Sequence, residues 1–242
     1  MKQLIAFLAS LHVAAGALAA SLEEDVQRYI AIFQQPDAAA HNKAVEELAW
    51  MGLSDPRLFD MLEQKILAEA AAAANTRAEK DRVARYIRAL GFSGQEKYVP
   101  TLQRFENHMV YNRYAKDALN QRPQYEKWNP IISDRATFDP RLSDDDNRIM
   151  NMLGSDDLML MRIAAKRAYF APNDTVLAQV ADQVRKRYAT SELDPERRDA
   201  VAWMVKALAR TTQYDDLLAE VKSGAPDHKV RNTAASALQH AR

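Results

Sequence analysis

Apolar residues along this chain recur at the spacing of a helix rather than of a strand. Near the end of the sequence Val230, Ala234, Ala237, Leu238 and Ala241 fall on one helical face, just after Asp227, an acidic residue placed to cap the helix start. Small residues on that face leave room for a second helix to come close. The same small-then-bulky ending recurs at Ala89-Leu90, Ala118-Leu119, Ala168-Tyr169 and Ala207-Leu208, which predicts a helical repeat. No run of alternating β-branched residues occurs, and the six glycines are few for this length, so the pattern argues against a sheet. The expected class is all-α.

Taken in order, Leu22, Val26, Tyr29, Ile30 and Phe33 share a face and Pro36 closes that helix. A partner helix is predicted from about Asp37 to Met51, with Ala44, Val45, Leu48 and Met51 inward and Gly52 as a left-handed terminator. Asp55-Pro56 opens the next helix, which carries Leu58, Phe59, Leu62, Ile66 and Leu67 and runs on through Ala70 to Ala74. Its partner spans about Thr76 to Leu90, with Val83, Tyr86, Ile87 and Leu90 inward and Gly91 as its stop. Gly52-Leu53-Ser54-Asp55 and Gly91-Phe92-Ser93-Gly94 stand 39 positions apart in equivalent places, close to a known solenoid period of roughly 40 residues. A third pair is predicted over Gln95 to Met109 and Val110 to Asn120.

The stretch 121–142 breaks the pattern with Pro123, Pro130 and Pro140, yet holds Tyr125, Trp128, Ile131, Ile132 and Phe138. Two readings fit: an irregular insertion packed across the repeats, or a hinge. Three further pairs follow: Ser143 to Gly154 with Asp156 to Ala171, Asp174 to Thr190 with Pro195 to Arg210, and Tyr214 to Lys222 with the terminal helix. The architecture expected is an α-solenoid, a short superhelix of about six antiparallel helix pairs over residues 21–242.

The first 20 residues change the picture of where the chain works. Lys2 precedes an apolar run from Leu4 to Leu18 that closes on Ala17-Leu18-Ala19, as in a secretory signal peptide cleaved near Ala19 or Ala20. The run falls short of the ~20 residues a membrane span needs, and Glu23, Glu24 and Asp25 follow it, so no stable span is expected after cleavage. The expected location is periplasmic or secreted. Cysteine is absent, so packing must stabilise the fold without disulfides. Lys and Arg number 33 against 33 Asp and Glu; loss of Lys2 leaves 32 against 33, a net −1, with no overall field to attract nucleic acid.

These helices resemble the HEAT-repeat superfamily, including the HEAT-like repeats of the bilin-lyase type. The match is closest at Asp227, Val230, Arg231, Ala234, Ala237 and Leu238, with Met161, Arg162, Ala165, Ala168 and Tyr169 next. In two earlier repeats Val83 and Asn112 stand where Arg231 does. The resemblance covers most of the chain after residue 20 and implies a scaffold that binds partners along a concave face lined by the second helices. It speaks to fold more than to function.

Chemistry is sparse. There is no phosphate-binding loop, and Gly91-Phe92-Ser93-Gly94-Gln95 lacks the last glycine of a nucleophile elbow. His41, His108, His228 and His240 include no pair at i, i+4. Asp144-Asp145-Asp146 is a dense carboxylate run without the rest of a calcium loop, and reads better as a helix N-terminus. Arg82, Arg85 and Arg88, with Arg162, Lys166 and Arg167, form basic clusters, and some HEAT-like families are DNA glycosylases. The export signal, the charge balance and the nearby Glu79 and Asp81 argue against nucleic acid. No cofactor is expected.

Aligning the second helices on their alanines places Arg85, Tyr114, Ala164, Trp203 and Thr233 four residues earlier, and Arg88, Asp117, Arg167, Lys206 and Ser236 one residue earlier. Arg85, Arg88, Tyr114, Arg167, Trp203 and Lys206 are therefore the expected partner-binding residues, being of types that dominate binding hot spots or carrying positive charge beside them. The function expected is a non-catalytic protein-interaction module or scaffold of the cell envelope. The alternative is an enzyme or enzyme accessory of the HEAT-like lyase kind acting on a small ligand in the groove.

Overall fold

The computed structural model describes residues 22–72, 76–190 and 194–240; the signal peptide expected over 1–20 lies outside them. Every regular element among the described residues is helical. The chain divides into two compact units, 1–130 and 131–242, a boundary inside one helix.

In the N-terminal unit α1 covers 22–34 and buries Val26, Tyr29 and Phe33. Helix α2, Ala38–Met51, starts where the Asp37 carboxylate accepts from the amides of Ala39 and Ala40, and stops at Gly52, whose φ of 69° is the left-handed conformation expected there. Helix α3, Pro56–Glu69, begins on an Asp55 cap with proline in its first turn. It ends at Glu69 rather than running through the alanines; Ala72 is the last residue described in that stretch. Helix α4, Arg77–Phe92, is capped by Thr76 and packs on both α2 and α3.

Gly91, expected to stop α4, lies in its last turn instead. A Cβ there would come within 2.9 Å of the Ala118 backbone, so the glycine serves close helix approach. The turn is made by Gly94, at φ +71°, where a Cβ would lie 2.5 Å from the Glu126 amide nitrogen.

The third pair also differs from expectation. Its first half is a 3₁₀ turn, Glu96–Tyr98, and a short α5, Val99–Gln103. Its second half is a single long α6, Asn112–Ile132, with Pro123 and Pro130 inside it. The irregular insertion expected over 121–142 is thus helical as far as Ile132. An interior proline costs about 3 kcal/mol in a free helix, since it removes one amide donor and crowds the preceding turn. Tertiary contacts offset this. Tyr125 and Trp128 are buried, and the Tyr125 hydroxyl donates to the Ala49 carbonyl at 3.1 Å. Asn129 Nδ2 donates to the carbonyls of Phe92 at 2.9 Å and Ser93 at 3.1 Å. The second half of α6 therefore satisfies carbonyls at the open ends of α2 and α4.

Polar contacts in this unit also join positions about one repeat apart. Ser54 Oγ donates to the Ser93 carbonyl at 2.6 Å across 39 residues, and Arg85 pairs with Glu46 at 3.1 Å, again across 39. Tyr98 donates to the Asp60 carboxylate at 2.7 Å across 38.

The C-terminal unit holds six further α-helices among the described residues. Helix α7, Asp144–Gly154, is capped by Ser143; α8, Leu158–Phe170, by Asp157; α9, Asp174–Arg187, by Asn173; and α10, Pro195–Leu208, by Asp194. Helix α11 spans Asp215–Gly224, and α12, His228–His240, opens where Asp227 accepts from the amides of Lys229 and Val230. Helix α7 packs on α8, α9 on α10 and α11 on α12, while α10 also packs on both α8 and α12. The close contacts are made by small residues: Ala164, Ala165, Ala168, Ala200, Ala207 and Ala234 are all fully buried.

The loop before α7 is pinned by Asn147, which exchanges hydrogen bonds with the Asp139 main chain. The acidic run opening α7 is occupied in the fold. Asp144 pairs with Arg135 at 2.8 Å, Asp145 with the buried Arg148 at 3.1 Å, and Asp146 accepts from Ser143 and Asn173.

Candidate functional site

In the C-terminal unit the three helices α8, α10 and α12 border a cavity of about 610 Å³. Helix α10 contributes Trp203, Lys206 and Arg210, in and just beyond its last turns, at a spacing of i, i+3 and i+7 that puts them on one face. Tyr169 comes from the end of α8, and Lys229, Thr233 and Ser236 from α12. The capped start of α12 fixes Lys229, and the alanine contacts beneath fix the distance between helices.

The geometry is a set of cations laid on aromatic rings. Lys206 Nζ stands 4.4 Å from the Trp203 ring centre and Lys166 Nζ 4.9 Å from the same ring. The Arg210 guanidinium lies 5.4 Å from the Tyr169 ring, which in turn meets Trp203 edge-on at 6.1 Å. Phe170, 70% exposed, packs edge-on against Tyr169 and extends the aromatic row. Such contacts hold a cation in place while leaving its charge unneutralised.

One carboxylate stands at the edge of the cluster. Asp199 is taken by Arg162 on α8 and by Lys229 Nζ on α12 at 3.1 Å, tying the three helices together. Burial would raise its pKa, but the hydrogen bond from Lys229 and the attraction of Arg162 together hold it below the usual value. Lys166 is pushed below the ordinary lysine value, first by burial and then by Arg162 and Lys206, with Asp199 opposing. The cluster is therefore locally cationic in a chain with no net charge.

Of the residues expected from sequence, Trp203 and Lys206 come together at this cavity. Arg167 is half-buried on α8, beside Lys166, and is not among the lining residues. Ala164, which the alignment equates with Trp203, is fully buried against the core. Arg85, Arg88 and Tyr114 belong to the N-terminal unit: Arg85 is held by Glu46, Arg88 is exposed on α4, and Tyr114 is half-buried on α6. Sequence reasoning missed Arg210, and read Tyr169 only as the bulky residue of the Ala168-Tyr169 repeat ending. The i, i+3, i+7 run from Trp203 was the available signal for Arg210. Tyr169 had none, since the alignment sets it with Leu90 and Leu208, which are fully buried.

A second pocket, of about 290 Å³, lies in the N-terminal unit beside His41 and Tyr86. His41 uses both ring nitrogens, Nδ1 with the Tyr86 hydroxyl at 2.6 Å and Nε2 with the Ile32 carbonyl at 3.0 Å. Nε2 must donate to that carbonyl, so Nδ1 accepts from the tyrosine. Burial first, and Glu69 second, push the Tyr86 hydroxyl up to about 12 against the pull of Arg82. Arg82 is itself paired with Glu69 at 2.9 Å. Four of the groups lining this pocket already satisfy one another, His41 with Tyr86 and Glu69 with Arg82.

No known protein family, characterised protein or solved structure matches the chain.

Proposed function

We propose that the chain is a non-catalytic interaction module, built as a HEAT-like α-solenoid and exported after loss of its first 19 or 20 residues, that holds a protein partner against the α8, α10 and α12 face. Two features support the repeat reading. Hydrogen bonds join residues 38 or 39 positions apart in the N-terminal unit, and α10 packs on both α8 and α12 in the C-terminal one. The observation that carries the binding role is the half-exposed Trp203 with two ammonium groups over its ring. A tryptophan placed there for packing alone would be closed off by neighbouring side chains, as Trp50 and Trp128 are.

The test is crosslinked capture of the partner from the native envelope. Trp203→Ala combined with Arg167→Ala should abolish capture and leave helical content and melting midpoint nearly unchanged. Surviving capture, or collapse of the fold by Trp203→Ala alone, would contradict the reading. Export is tested by the intact mass of the native protein, which should start near Ser21; a species starting at Met1 would contradict it.

The cavity volume lies within the roughly 300–1,000 Å³ of small-ligand pockets, and this favours a second reading, an enzyme or enzyme accessory acting on a small ligand. Mass spectrometry of gently released small molecules from natively purified protein distinguishes the two.

A further inference from the structure

We infer that the cleft between α8, α10 and α12 takes an acidic segment of the partner protein, with carboxylates set over Lys206 and Arg210 and an apolar side chain against Trp203 and Tyr169. The inference rests on the proposed interaction role and adds the chemistry of what is held.

Charge complementarity carries it. Lys206, Arg210 and Lys229 line the cavity, and among the described residues no carboxylate does. Asp199, at the edge of this cluster, already serves Arg162 and Lys229. Lys166, Lys206 and Arg210 are held instead by ring faces, and no described carboxylate pairs with any of them. An aromatic ring orients a cation without quenching it, so each keeps free hydrogen-bond donors for an incoming oxygen.

Lys166 and Lys206 both lie over the Trp203 ring, and burial first, then Arg162 and last Lys206 push Lys166 below the ordinary lysine value, a crowding of cations that an arriving anion would relieve. The rest of the lining is His228 and Asn232 at the start of α12, with Ala209, Ala237, Thr233 and Ser236 beside the two aromatic rings. A bare phosphate would use the cations and make no contact with the apolar lining. A peptide with Glu or Asp flanking an apolar residue uses both. The site is half-open rather than sealed, with Lys206 and Arg210 exposed, which suits a chain segment passing through.

The chain offers its own probe. Trp50 and Trp128 are 5% and 6% exposed, whereas Trp203 is half-exposed at the cleft, so a ligand-induced change in tryptophan fluorescence reports chiefly on Trp203. The full mature protein is titrated at low salt with a short synthetic peptide of glutamates around one phenylalanine. The same peptide with glutamine for glutamate, and inorganic phosphate, are run in parallel.

The acidic peptide should shift the emission saturably and weaken as salt rises, and the glutamine peptide should not bind. Lys206→Gln with Arg210→Gln should weaken the acidic peptide by roughly tenfold or more, while Lys206→Arg retains it. Both residues are exposed, so an unchanged melting midpoint separates lost binding from lost fold. Equal binding of both peptides, or competition by phosphate as strong as by the acidic peptide, would overturn the inference. If partner capture requires Trp203 but the acidic peptide neither binds nor competes, the interaction role stands and the acidic chemistry is wrong. If capture is indifferent to Trp203 as well, both fail.

Discussion

The two units solve the same packing problem with different side chains. The C-terminal unit buries alanines along α8, α10 and α12 beside aliphatic residues such as Leu160, Met204 and Val230, and α10 packs on both α8 and α12. Between the helices of the N-terminal unit stand tyrosines whose hydroxyls need partners: Tyr86 finds His41, Tyr98 finds Asp60 and Tyr125 finds the Ala49 carbonyl. Small residues allow a regular arrangement, because nothing has to be satisfied beyond contact. Bulky residues with polar tips demand specific acceptors, and the backbone bends to supply them. The C-terminal unit is the one that leaves an aromatic and cationic surface over.

The largest way to break this difference is Gly94→Ala. The left-handed φ costs a non-glycine residue about 1–2 kcal/mol and the overlap with α6 adds about 1–3, so a loss of about 3 kcal/mol is expected in urea melts. An unchanged midpoint would mean that α6 is not seated on that turn.

Ala165→Leu and Ala234→Leu probe the alanine contacts of the other unit. Both positions are fully buried, and each change should cost about 1–3 kcal/mol by forcing helices apart. Asn129→Ala sharpens the contrast by a smaller step. It strips donors from the carbonyls of Phe92 and Ser93 and should cost about 1–2 kcal/mol, read from the same melts.

The smallest effect is a pH dependence of the N-terminal unit. Tyr86 is raised from its ordinary value of 10 to about 12 by burial, so the folded state favours its neutral form. That contribution is fully present below about pH 10 and is lost as pH rises through about 12. Tyr86→Phe should lower stability at neutral pH but flatten its decline across that window. An identical slope in both proteins would remove Tyr86 from the account.

Much of the fold was legible because helix starts carry local chemistry. Asp37, Asp55, Thr76, Ser143, Asp157 and Asp194 accept from the amides of the turns they open, and each can be read without knowing what packs against it. What escaped was set by distant contacts. Pro123 and Pro130 argue locally for a broken chain, and only the burial of Tyr125 and Trp128 and the donors of Asn129 keep α6 whole. Gly91 looks like a terminator until Ala118 is known to lie against it.

The candidate site shows the same division. Trp203, Lys206 and Arg210 share a face by period alone. Their meeting with Tyr169 and Lys166 of α8 depends on the spacing between helices, which single-helix patterns do not encode.

The central claim is that a partner docks on the α8, α10 and α12 cleft. A photo-crosslinking amino acid placed at Asn232, exposed and at the cavity edge, tests it most directly, with the exposed Lys43 of α2 as the control position. A discrete protein adduct is expected from position 232 in the native envelope, diminished by the acidic peptide and absent from position 43. Adducts of equal yield from both positions, or none from position 232 while the wild-type protein still captures its partner, would contradict it.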